Sequence, residues 1–173
     1  MKSILSVVVE VVYWVTLSLW FGGIAVFSFL VAPVAFNVLP SAELAGNLVG
    51  AVLAKLYIAG TFAGILLLLT SNWLRSRGLM SRRQRLLLSL CLLVALAANV
   101  YAQWSIAPRV AELRSSGAIE KTQAADDQAR GEFDKLHRRS VQLMMANLIA
   151  LLAAIALSTR RTAANAAPAS PTP

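Results

Sequence analysis

Four long stretches without a single Asp, Glu, Lys or Arg constrain this chain more than any other feature. They are residues 11–42, 56–74, 86–108 and 140–159, of 32, 19, 23 and 20 residues. About 20 helical residues at roughly 1.5 Å of rise cross the ~30 Å hydrocarbon core of a bilayer, so each stretch can span one. Together they occupy 94 of the 173 positions, which leaves no room for an appended soluble catalytic domain. A chain that is 58% apolar and 14% charged also lies outside the composition of water-soluble domains. The apolar runs are continuous rather than alternating, which excludes a transmembrane β-barrel. The sequence therefore predicts an all-α polytopic membrane protein, an antiparallel four-transmembrane-helix bundle over residues 1–158 with a disordered Ala/Pro-rich tail over 159–173.

Local signals set the expected spans at about 4–31, 50–73, 86–106 and 140–158. Ala32-Pro33 is expected to close the first and Pro108 the third, because the residue before a proline is pushed out of the helical region. The apolar run that follows Glu10 is more than twice the length of a secretory h-region, so the first span reads as a retained helix rather than a cleaved signal. Ser41 is the expected N-cap of a second helix reaching to about Trp73, with Glu43 near its positive end. Residues 109–139 read as an extramembrane amphipathic loop of short helices broken at Gly117 and Gly131.

The net charge of +8 raises the question of nucleic acid. However, Arg75, Arg77, Arg82, Arg83 and Arg85 sit together in one connector between apolar runs, where a positive-inside signal accounts for them and no nucleic-acid partner is expected. With Lys2, Arg160 and Arg161 on the same side, both termini are expected in the cytoplasm and the protein in the inner (plasma) membrane. The lone Cys91 excludes an intrachain disulfide and an all-protein zinc cage.

Two sets of residues stand out. Gly46, Gly50, Gly60 and Gly64 share one face of the second helix as small-xxx-small pairs. This close-approach face serves either helix packing within one subunit or a homo-oligomer seam, with Gly22-Gly23 as a complementary surface or a kink. Intramembrane polar residues form the second set. Asn99 and Gln103 share a face of the third span, while His137, Ser140, Met144 and Asn147 form a stripe on the fourth. They predict a shared polar cluster of Asn99, Gln103, His137, Ser140 and Asn147 in the outward half of the bilayer. Such a cluster is either interhelical hydrogen-bond glue or a small vestibule with His137 as its titratable residue. Glu10 is read as pairing with a loop Arg, reaching the interface or relaying protons; Lys55 is read as snorkelling to the headgroups. Paired carboxylates on an intramembrane face, Ser-His geometry and glycine loops after strands are all missing, so no enzymatic activity and no cofactor are expected. His137 and Met144 lie on one helix face and cannot clamp both sides of one haem, so metal ligation would need a donor from elsewhere.

Trp20, Gly22-Gly23, Ala32-Pro33, Phe36, Leu39 and Ala45-Gly46, then Asn99, Ile106 and Pro108, and finally Phe133, Leu136-His137, Ser140 and Asn147 carry a family likeness. Over about residues 8–158 the chain resembles the transmembrane-protein-205-like family, defined by a domain of unknown function (4149). The resemblance implies a four-helix integral membrane protein. Through a relative associated with resistance to a platinum drug, it also implies handling of a soft metal compound or vesicle traffic; Met144 and Met145 are the soft-ligand candidates, with packing in the membrane core as their other reading. A vaguer likeness links the chain to four-helix families of copper resistance and protoporphyrinogen oxidation, whose histidine pattern this chain lacks. The expected function is to bind or pass a small polar solute, metal species or proton through the outward polar cluster. A structural subunit that docks a partner is the alternative, and a haem- or copper-linked redox protein the second alternative.

Overall fold

A computed structural model describes residues 4–75, 82–115 and 124–166, and every element among them is helical. Helix α1 (Ile4–Val26) passes through a π turn, Phe27–Val31, into α2 (Ala32–Val38). Helix α3 covers Ala42–Arg75 and α4 covers Arg82–Tyr101. A second π turn, Ala102–Ile106, joins α4 to α5 (Ala107–Ser115), and α6 runs from Ala124 to Ala166. Four helical stretches, Ile4–Val38, Ala42–Leu74, Arg82–Arg114 and Arg130–Thr159, are long and apolar enough to cross a membrane.

The prolines do not end the first and third spans, contrary to the sequence expectation. A proline inside a helix lacks an N–H and clashes with the carbonyl four residues back. For Pro33 and Pro108 that carbonyl belongs to Phe29 and Trp104, each inside a π turn. The wider turn moves the clashing carbonyl aside: the Ala32 and Ala107 N–H groups donate to Phe27 O and Ala102 O, five residues back instead of four. Ser28 Oγ, meanwhile, donates to Ile24 O at 2.7 Å. The helices therefore continue past both prolines.

Two other boundaries differ from expectation. Gly131 lies inside the unbroken α6, where one glycine costs about 1 kcal/mol against alanine, too little to stop so long a helix. Gly117 lies outside the described residues. Of the tail expected to be disordered over 159–173, residues 159–166 are helical, because α6 carries its backbone ladder past the last apolar turn, and 167–173 lie outside the described residues. At the start of α3 the Leu44 N–H donates to Ser41 Oγ at 3.2 Å, a side-chain N-cap, and Glu43 occupies the first turn.

Helices α1 and α4 each pack on both α3 and α6, which places α1 opposite α4 and α3 opposite α6 around the bundle. Each of the four supplies one leucine to a central layer: Leu17, Leu67, Leu92 and Leu151 are all 0% exposed. The outer surface is apolar too, with Leu19, Phe62, Leu93 and Ile149 exposed on the same four helices. A surface of that kind is solvated by lipid tails, not by water. The bundle has a basic end, which carries the Arg connector, and a distal end opposite it.

At the basic end Tyr13 OH lies 2.7 Å from Ser158 Oγ. Ser158 donates its own proton to Ala154 O, so Tyr13 is the donor and ties α1 to α6. Tyr13→Phe is expected to lower stability by about 0.6–1.7 kcal/mol, the range of interhelical hydrogen bonds in lipid. Equilibrium unfolding in mixed micelles measures it, and an unchanged midpoint would contradict the assignment.

Candidate functional site

Seven residues, two helical turns or about 10 Å, separate Leu67 from Gly60 on α3 and Leu92 from Asn99 on α4, which sets the polar centre of the bundle beyond the leucine layer. On α3 the sequence Tyr57, Gly60, Thr61, Gly64 follows the i, i+3, i+4, i+7 pattern that keeps side chains on one face. Opposing that face, Asn99 of α4 is 2% exposed. Its Nδ2 donates to Tyr57 O at 2.8 Å and to Thr61 Oγ1 at 3.0 Å. The single Thr61 hydroxyl proton is shared between Tyr57 O at 2.9 Å and Gln103 Oε1 at 3.0 Å. Tyr57 OH reaches Ser140 Oγ of α6 at 3.3 Å. A polar chain thus links α3 to α4 and α6 inside the bundle, each member satisfying a neighbour that burial would otherwise leave costly.

Gly60 and Gly64 make this approach possible. A Cβ on Gly60 would fall 2.6 Å from Trp20 Nε1 and 2.7 Å from Asn99 Oδ1, and one on Gly64 would meet Leu96 Cδ1 at 2.8 Å. Trp20 and Asn99 therefore converge on bare backbone. Beside them lies a cavity of about 10 Å³, measured to the centre of a water molecule, lined by residues of all four long helices including Phe27, Tyr57, Asn99, Ala102, Met144 and Asn147. A void of that size holds about one water if polar partners are present. One lies on its wall: Asn147 is 3% exposed, and its Oδ1 is buried without a hydrogen-bond partner among the described residues, as is Trp20 Nε1, which is not part of the lining. One is an acceptor lacking a donor, the other a donor lacking an acceptor.

The structure brings four of the five expected cluster residues to this region. Asn99, Gln103 and Ser140 join the hydrogen-bonded chain, and Asn147 lines the cavity. His137 is elsewhere. Its ring is exposed at the distal end and stacks on Phe133 at 6.1 Å with planes 10° apart. Met144 lines the cavity and Met145 packs against the core. Among the described residues no three His, Cys, Asp or Glu come together as a metal site. Lys55 is exposed on α3, and Glu10 is half-buried beside Trp14 in a surface groove near the basic end.

The glycine face is occupied within the chain along its whole length. Beyond Gly60 and Gly64, the Arg114 guanidinium lies across Gly46 and Gly50, donates to Gly46 O and covers the Phe133 ring at 5.4 Å. A methyl on Gly22 would have nothing within 4 Å, and one on Gly23 would make only an ordinary contact with Leu56, while α1 continues unbroken through both. Arg109 adds a tether from α5 to α6 through Glu132 at 2.8 Å.

Tyr57, Thr61 and Arg114 are site residues that sequence reasoning passed over, and Trp20 entered it only through the family likeness. The heptad-like interleaving of Tyr57 and Thr61 with Gly60 and Gly64 was the available signal for the first two. For Trp20 and Arg114, which act across helices, periodicity along one helix offers none.

A family model described as a domain of unknown function (DUF4149) matches residues 15–118, more than half of the chain. That span holds Trp20, the polar face of α3, Asn99, Gln103 and both Ala-Pro elements, whereas Ser140 and Asn147 lie beyond it. No curated protein and no solved structure matches the chain.

Proposed function

The chain belongs to the family of the domain of unknown function DUF4149, and from that premise we propose that it is a multi-pass membrane protein whose central cavity binds and passes a small uncharged polar solute. The observation that carries the reading is the buried Asn147 Oδ1 without a partner on the wall of a cavity that Tyr57 and Asn99 also line. An unsatisfied buried acceptor costs about 1–3 kcal/mol, which a solute hydroxyl or amide N–H would recover. The polar lining consists of a phenol and two carboxamides and carries no formal charge, which favours a neutral solute over a metal ion. With the basic end in the cytoplasm, as the arginine distribution indicates, the cavity lies toward the outer half of a bacterial-type inner membrane.

Purified protein in proteoliposomes, challenged with glycerol or urea gradients and followed by light scattering, tests this. Solute entry is expected to exceed that of protein-free vesicles. In the Asn99→Leu/Asn147→Leu double variant it is expected to fall by about tenfold, the equivalent of one lost hydrogen bond of about 1.4 kcal/mol. Gel filtration checks that the variant remains assembled. Entry no faster than in empty vesicles, or unaffected in the assembled double variant, would leave Asn99, Thr61 and Gln103 as interhelical glue.

A further inference from the structure

The two π turns occupy matching places. In Phe27-Ser28-Phe29-Leu30-Val31-Ala32-Pro33 and Ala102-Gln103-Trp104-Ser105-Ile106-Ala107-Pro108, a polar residue stands second, an aromatic third, and a β-branched residue precedes Ala-Pro. Both follow a helix that starts at the basic end, so the chain consists of two hairpins in which α1 and α4 correspond. These two helices face each other diagonally. The first residue of each π turn, Phe27 and Ala102, lines the same cavity. Repeats arranged in parallel about an axis along the membrane normal, with a site at their interface, are a known transporter architecture.

At each turn the backbone ladder is interrupted twice, by the five-residue bonds of the turn and by the proline that cannot donate. Interruptions of this kind are where helices bend. Among the described residues, none from the segments beyond them belongs to the hydrophobic core around the leucine layer. Apart from the π turn before it, α2 packs chiefly on α3, and α5 is held by the Arg109–Glu132 pair and by Arg114 on Gly46. The basic-end halves, by contrast, are locked by the leucine layer and the Tyr13–Ser158 bond.

We infer that the two π turns are a paired hinge, on which α2 and α5 swing apart to open the central cavity at its distal end while the basic-end half stays closed. The inference builds on the cavity as a solute site, since a void for about one water must widen to admit anything larger.

Double spin labels in a Cys91→Ala background, measured by pulsed dipolar spectroscopy in lipid nanodiscs, test the hinge without reference to any solute. The distal pair is Val38→Cys with Ala111→Cys, on α2 and α5; the basic-end pair is Val8→Cys with Leu86→Cys, on α1 and α4. All four positions are exposed. The distal pair is expected to give two populations, or one distribution wider than the basic-end pair by about 5 Å, the scale of one helical turn. Pro33→Leu with Pro108→Leu, which restores both N–H groups, is expected to narrow it, and the basic-end pair reports whether that variant keeps its fold. A distal distribution as narrow as the basic-end one in the parent protein would overturn the hinge, and would do so whether or not vesicles carrying the protein admit glycerol.

Discussion

Gly60→Ala is expected to destabilise the protein by about 3 kcal/mol, the upper part of the range for overpacking a filled core. The added methyl would lie 2.6 Å from Trp20 Nε1 and 2.7 Å from Asn99 Oδ1, closer than real Cβ contacts come. Trp20 is buried, and Asn99 is fixed by its bonds to Tyr57 O and Thr61 Oγ1. Relief therefore requires α1 or α4 to move away from α3, which breaks the polar chain. Gly22→Ala is the matched control: nothing lies within 4 Å of its methyl position, and the helix gains up to about 1 kcal/mol from losing a glycine. Unfolding in mixed micelles, followed by tryptophan fluorescence, separates the two. Equal midpoints would mean that Trp20 and Asn99 do not meet over Gly60.

Ile149→Lys is expected to cost about 2.5–3.5 kcal/mol of membrane insertion, the cost of a cation at the centre of a transmembrane helix. Ile149 is 67% exposed and sits near the midpoint of the charge-free stretch on α6, between the buried Leu148 and Ala150. On the surface of a water-soluble bundle the same change would be harmless or would raise solubility, since exposed lysine is the norm there. The sign of the effect therefore distinguishes lipid from water as the solvent of the outer face. A glycosylation-site insertion assay on the α6 segment reads it directly, and undiminished insertion would contradict the lipid-facing assignment.

Fold class was legible because hydrocarbon imposes a simple rule on sequence: about 20 residues without a charge per crossing, with the charges gathered at the ends. The N-cap at Ser41 was legible for a similar reason, being a local hydrogen bond that needs no distant partner. Pro33 and Pro108 misled because the penalty of a proline is also local, yet the π turn that absorbs it is a change of helical pitch that propensity rules do not anticipate. Asn99, Gln103, Ser140 and Asn147 were recognisable as polar groups in an apolar setting. Their partners were harder to see: Thr61 and Tyr57 bond across helices, and Arg114 reaches back to the glycine face from beyond the second π turn. His137 shared a helical stripe with Asn147, but ten residues carry it along α6 to the exposed distal end, so angle alone overstated its kinship with the cavity.

A high-resolution structure determined in lipid nanodiscs tests the central claim, a polar cavity able to hold a solute within a membrane-embedded bundle. Ordered density is expected in the space between Tyr57, Asn99 and Asn147, within about 3 Å of Asn147 Oδ1, the distance of a hydrogen bond. A dry, collapsed centre in which the Asn147 carboxamide bonds directly to a neighbouring helix would contradict it.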